Sequence, residues 1–191
     1  MDIVNPYFRT KDSAEKLGAA GIRLISSHFA NSNVDVPSMP PETSAIFDNP
    51  NTYSVIDLGG DDRGAHALGR YTGRILESND YSMLLVVNMY RPLSREVSAL
   101  VEIKNEIETA AKLGFTGIIN NSNLGRETRV SDVLASMNYA EEISRKSSLP
   151  IVATSVSKAV ANELQAEGLH TSVNNIFIID LEEYQWQKQQ K

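Results

Sequence analysis

The chain has 191 residues, 41% of them hydrophobic, with 18 basic against 24 acidic side chains and a net charge of −6. Such a length and composition suit one globular domain with a full core, and no apolar run approaches the ~20 residues of a membrane span. The lack of cysteine excludes disulfides, thiolate metal sites and a cysteine nucleophile, and the acidic balance argues against nonspecific nucleic-acid binding.

The chain opens on Met1-Asp2-Ile3-Val4-Asn5-Pro6, as an apolar strand would end rather than begin. No charged leader with an apolar stretch follows, so no signal peptide is expected. Residues 12–20 predict a short helix, and Ile22 to Ser26 a weak strand. Residues 28–52 are rich in Asn and Pro and read as a loop, with one helical turn around Glu42 to Phe47. Tyr53 to Leu58 predicts a strand. Residues 63–77 predict a helix containing Gly64, Gly69 and Gly73, which close packing against a sheet would explain. Ser82 to Asn88 is the next strand. The helix over 94–113 turns Val97, Leu100, Val101, Ile107, Ala110 and Ala111 to one face, with Glu102, Lys104, Glu106 and Lys112 largely outside it. Ser94 can cap its start, and Gly114 can end it in a left-handed conformation. Phe115 to Asn120 is a strand. Residues 131–147 form a helix with Val133, Leu134, Met137, Ala140 and Ile143 inward. Leu149 to Thr154 is a strand, residues 158–167 a helix stopped by Gly168, and Asn175 to Asp180 the last strand. Residues 1–181 form the α/β domain, and 182–191 a polar tail that frays.

The strand runs are continuous rather than alternating, as in strands covered on both faces. Alternation of strands and helices predicts a three-layer αβα sandwich with a mostly parallel sheet. Ligands in such sheets bind beyond the carboxyl ends of the strands, so the residues there carry the chemistry. Asp57-Leu58-Gly59-Gly60-Asp61-Asp62 offers a carboxylate for Mg²⁺ and glycines that admit a phosphate to backbone N–H groups. The same residues also suit a tight turn with Asp61 or Asp62 as a helix N-cap. Asn120-Asn121-Ser122-Asn123 can read a purine edge or form an Asn-rich turn. Thr154-Ser155-Val156-Ser157 can line the same pocket, or Ser157 can cap the helix behind it. Arg9 and Lys11, with Tyr7 and Phe8, could meet an anion and a base, or be a surface loop. His28, His66 and His170 have no metal-ligand spacing. The sequence holds no Gly-x-x-x-x-Gly-Lys-Ser/Thr phosphate loop.

In this order the motifs resemble the MinD/ParA-like (SIMIBI) branch of P-loop ATPases, over nearly the whole chain from that family's second strand onward. Asp2 resembles the second aspartate of the family's Asp-x-Asp, and Asp57 to Gly60 its Walker B strand and switch loop. Asn120 and Asn121 stand where the family reads the nucleotide base, and Leu149 to Thr154 resembles the strand bordering that base. The resemblance implies ATP and Mg²⁺ as ligands. It implies Asp57 at the metal, usually through water, Gly59 and Gly60 at the phosphates, Asn120, Asn121 and Thr154 at the base, and Asp2 orienting the attacking water. The family's first strand, lysine-bearing loop and first helix have no counterpart, so ATP binding and hydrolysis are expected to be impaired. The missing strand implies a truncated start, a fragment completed by another chain, or a degenerate pseudo-NTPase. The alternative function is a non-catalytic interaction module acting through a partner or self-association. A homodimer or partner protein is expected, a cytoplasmic location fits, and neither nucleic acid nor membrane is expected as a partner.

Overall fold

A computed structural model describes residues 14–25, 41–49, 51–59 and 62–180. The chain divides into two compact units, Met1–Tyr81 with Asn105–Gly114, and Ser82–Lys104 with Phe115–Lys191. The expectations for Asp2, for Arg9 and Lys11, for most of the loop over 28–52 and for the tail lie outside the described residues.

The second unit is built on four parallel strands, β1 (Leu84–Val87), β2 (Gly117–Asn120), β3 (Ile151–Ser157) and β4 (Ile176–Ile179), in that spatial order. The register pairs Val87 with Asn120, Asn120 with Thr154, and Thr154 with Ile176, so these four share one face. Helices α4 (Val97–Ala111), α5 (Val130–Ser147) and α6 (Lys158–Ala166) connect the strands. When strand order follows chain order, crossovers of one hand deposit every helix on the same face. The buried clusters agree. Leu85, Val87 and Ile118 meet Leu100 of α4 and Tyr139 and Ile143 of α5. Val156 meets Val130, Val133 and Met137 of α5 and Val160 and Leu164 of α6.

The third layer of the expected sandwich is therefore not supplied by α4, α5 or α6. β1 shows the consequence. Leu85 and Val87 are buried, whereas Leu84 and Val86 are exposed. A continuous apolar run had implied cover on both faces; among the described residues, Leu84 and Val86 are left exposed.

Local chemistry sets the helix ends. The Arg129 N–H donates to Asp132 Oδ2 at 2.8 Å, closing the first turn of α5. Ser157 Oγ accepts from the Val160 N–H at 3.3 Å, so Ser157 caps α6 as its sequence position allows. Gly168, at φ +70°, ends α6. Gly114 does not play that part for α4. The left-handed residue is Lys112, at φ 55°. Ser94 does not cap α4 by its side chain either; its hydroxyl donates to the Asn88 carbonyl at 2.7 Å. Lys104 lies buried rather than outside the apolar face.

The first unit holds α1 (Ala14–Ala19), a 3₁₀ turn over Pro41–Phe47, α2 (Asp62–Gly69), α3 (Thr72–Ser78) and the end of α4. Ile22 to Ile25 forms no strand. The helix expected over 63–77 is two helices, broken at Arg70 and Tyr71. The break has a cause at each end. Thr72 Oγ1 donates to the Ala111 carbonyl at 2.6 Å, satisfying one of the carbonyls that α4 leaves open at its C-terminus. Tyr71 stacks on Phe47 with ring centroids 5.6 Å apart. Arg74 lies over the same Phe47 ring and bonds the Ser44 carbonyl and the Asp48 carboxylate. This clasp ties the 3₁₀ turn to α3.

The glycines of this region differ in kind. A Cβ on Gly69 would stand 2.9 Å from the Ala110 carbonyl oxygen, so α2 closes on α4 at that point. A Cβ on Gly73 would meet open space. Two alanine substitutions should therefore act with opposite sign. Gly69→Ala is expected to destabilise by about 1–3 kcal/mol through overpacking against backbone. Gly73→Ala is expected to stabilise by about 0.5–1 kcal/mol through helix propensity. Urea midpoints of the two variants measure the contrast.

Candidate functional site

Tyr53 to Leu58 was expected to be the strand that delivers Asp57. It is not a strand. The segment is extended and outside any ladder, with Tyr53 and Val55 fully exposed. Its apolar alternation is real, since Ile56 and Leu58 are half-buried while Tyr53, Val55 and Asp57 face outward. A strand needs a ladder partner as well as a pattern, and no described residue provides one. Asp57 is exposed and Gly59 half-buried, both in the first unit. Gly60 and Asp2 lie outside the described residues. Among the described residues no cluster of three or more His, Asp or Glu side chains is placed to hold a metal ion.

The carboxyl ends of β1, β2 and β3 gather the polar residues of the second unit. Asn120 is fully buried. Its Nδ2 donates to Ser136 Oγ on α5 at 2.8 Å, and its Oδ1 accepts from the Ser122 N–H at 3.2 Å. Ser136 Oγ donates in turn to the Val133 carbonyl at 2.7 Å. Asn120 thus braces the loop after β2 against α5. Asn121 is half-buried and more open. Its Oδ1 accepts from Ser155 Oγ at 2.5 Å, and its N–H donates to the Val87 carbonyl at 2.8 Å. Asn123 Nδ2 donates to the Asn121 carbonyl at 2.8 Å, and its Oδ1 accepts from the Gly125 N–H at 3.0 Å. Gly125, at φ +66°, needs its missing Cβ to make that turn.

The end of β1 joins the same network. Asn88 Oδ1 accepts from the Tyr90 N–H at 2.9 Å, and Ser122 Oγ accepts from the Met89 N–H at 3.0 Å. Sequence reasoning stopped at Asn88 as a strand end and gave it no role; an Asn followed two residues later by a turn was the available signal. One group stands apart. Thr154 Oγ1, on the same face as Asn120, is buried with no hydrogen-bond partner among the described residues. A buried hydroxyl without a partner is disfavoured by about 1–3 kcal/mol, so a small polar molecule is the expected complement.

Tyr90 and Tyr139 border this region from the loop and from α5. Tyr90 donates to the Asp132 carbonyl at 3.0 Å, and burial, then the Asp132 charge, raises its pKa. Tyr139 donates to the Ser94 carbonyl, and burial pushes its pKa up to about 12. In the unfolded chain this phenol ionises near its usual value of 10. Between those two values the unfolded state loses its proton first. The stabilisation from Tyr139 is therefore whole below pH 10 and is lost as pH rises to about 12. Tyr139→Phe is expected to flatten that part of the stability profile, measured by urea denaturation across the range.

A cavity of about 390 Å³ opens near Tyr139, lined by Arg95, Glu96, Asn138, Glu142 and Lys146 among others. Lys146 pairs with Glu142 at 2.9 Å and lowers the Glu142 pKa. Two cations face two carboxylates there, so the lining has no net charge to attract an anion. No described helix is long and apolar enough to cross a membrane. Comparison of the chain with known protein families, with curated proteins and with solved structures finds no match.

Proposed function

We propose that this chain is a nucleotide-binding, ATPase-like α/β domain of the MinD/ParA type, with its hydrolytic function impaired. The observation that carries the reading is the parallel sheet whose β2 and β3 carboxyl ends bring Asn121, Asn123 and Ser155 into one hydrogen-bonded rim. Amide and hydroxyl groups there both donate and accept, as recognition of an adenine edge requires. Asn120 serves that rim as a brace, because its own amide is buried and engaged. Thr154 supplies a hydroxyl below it.

The phosphate end of the site is the weaker one. ATP would bring its own Mg²⁺, which neutralises phosphate charge when bound. By the family resemblance alone, Asp57 would be the carboxylate at that ion, Gly59 and Gly60 would meet the phosphates, and Asp2 would orient the attacking water. No glycine-lysine loop in this sequence cradles the phosphates. Affinity should therefore come chiefly from the base. The reading places the protein in the cytoplasm, where ATP is at hand.

Calorimetric titration tests this. Adenosine and Mg-ATP are expected to bind with dissociation constants within about tenfold of each other, a difference of ~1.4 kcal/mol. Asn121→Ala should weaken both alike. No heat from either ligand at millimolar concentration, or binding indifferent to Asn121→Ala, would overturn the proposal.

A further inference from the structure

The cavity of about 390 Å³ beside Tyr139 lies wholly within the second unit. Its volume is at the small end of the ~300–1,000 Å³ of small-molecule sites. One wall is the entrance to α4, where Arg95, Glu96 and Ser98 are exposed. The other is α5, whose Asn138, Glu142 and Lys146 recur four residues apart and so share one stripe. Tyr139 ties the two walls together, because its hydroxyl donates to the Ser94 carbonyl directly before Arg95. Its ring and the half-buried Val97 are the apolar part of the lining. Glu142 and Lys146 bind each other at 2.9 Å. Arg95 and Glu96, adjacent in the chain, line the same recess with opposite charges.

We infer that this cavity is a binding site for a free α-amino acid with an apolar side chain, Arg95 taking the carboxylate and Glu96 the ammonium. The charge balance selects the class of ligand. A simple anion would meet Arg95 but also the Glu96 and Glu142 carboxylates. A simple cation would meet Glu96 but also Arg95 and Lys146. A zwitterion satisfies both signs at once. An α-amino acid carries them on one carbon, matching the opposite charges on two neighbouring residues. A guanidinium holds a carboxylate through two parallel N–H bonds. Asn138, whose amide both donates and accepts, serves either group. An apolar side chain would lie over Tyr139 and Val97. Water screens the exposed charges, so the dissociation constant is expected on the order of 1 mM. The inference does not depend on nucleotide binding.

L-Leucine is the probe, titrated into the full ¹⁵N-labelled chain and followed by backbone amide shifts. Saturable shifts centred on residues 95–98 and 138–146 are expected. Two analogues each lack one charge: 4-methylpentanoate has no ammonium, and 3-methylbutylamine no carboxylate. Each should bind at least about tenfold more weakly than leucine. Arg95→Gln and Glu96→Gln should each weaken leucine binding by a similar factor. Both side chains are exposed, so circular dichroism should be unchanged. Asn121→Ala, in the proposed nucleotide rim, should leave leucine binding as it is. No saturable shift at tens of millimolar leucine overturns the inference. So does an analogue that binds as tightly as leucine, or leucine binding indifferent to Arg95→Gln and Glu96→Gln.

Discussion

Ile143→Ala is expected to be among the most damaging single truncations in the second unit, at about 2–5 kcal/mol. Ile143 has no exposed surface and sits where α5 meets Leu85, Val87 and Ile118 of the sheet and Leu100 of α4. Four elements converge on it, so no single one can shift to fill the space an alanine leaves. Ile178→Ala is the control. Ile178 is 54% exposed on the terminal strand, and its loss should stay within about 1 kcal/mol. Urea denaturation followed by circular dichroism measures both, with the difference in midpoint as the readout.

Asn120→Ala is expected to cost about 2–4 kcal/mol, although it removes no apolar contact of consequence. The change leaves the Ser122 N–H buried without its acceptor, a loss of about 1–3 kcal/mol, and removes the charge-neutral bond to Ser136 Oγ, which keeps its own bond to the Val133 carbonyl. Ser136→Ala alone should cost less, because it strands only the Asn120 amide. A double-mutant cycle should show a coupling of about 0.5–3 kcal/mol between the two positions. A coupling near zero would mean that Asn120 does not brace the loop through α5.

The second unit was legible because four apolar runs, the first three each followed by a helix of matching stripe, can be arranged in few ways. The strands lie within or overlap the runs read from sequence. β3 extends further, to Ser157, through two serines that read as loop in sequence. Their pairing with Phe177, Ile178 and Ile179 could not be seen in the chain itself. The failure at Tyr53 to Leu58 has the same root in reverse. Periodicity reports what a segment could pair with, and only the rest of the fold decides whether a partner exists. The Asn-rich segment was correctly located at a strand end. Its residues fall on opposite sides of the backbone, so Asn120 turns inward to Ser136 and Asn121 turns to Ser155. Alternation along the strand gives that division once the strand's end is fixed. Glycine was harder. Nothing in the residues around Gly69 and Gly73 says that one touches a carbonyl and the other nothing.

The helix ends hold a reserve of another kind. α3, α4 and α5 stop at Asn79, Lys112 and Ser148, all left-handed and none a glycine. Asn tolerates that conformation, but Lys and Ser hold it at about 1–2 kcal/mol above glycine. Part of the relief is offset by the greater freedom glycine brings to the unfolded chain. A net gain of up to about 1 kcal/mol remains at each of Lys112 and Ser148. The protein thus keeps unrelaxed backbone at two helix ends, and thermal hardening there would change no residue of the proposed nucleotide rim.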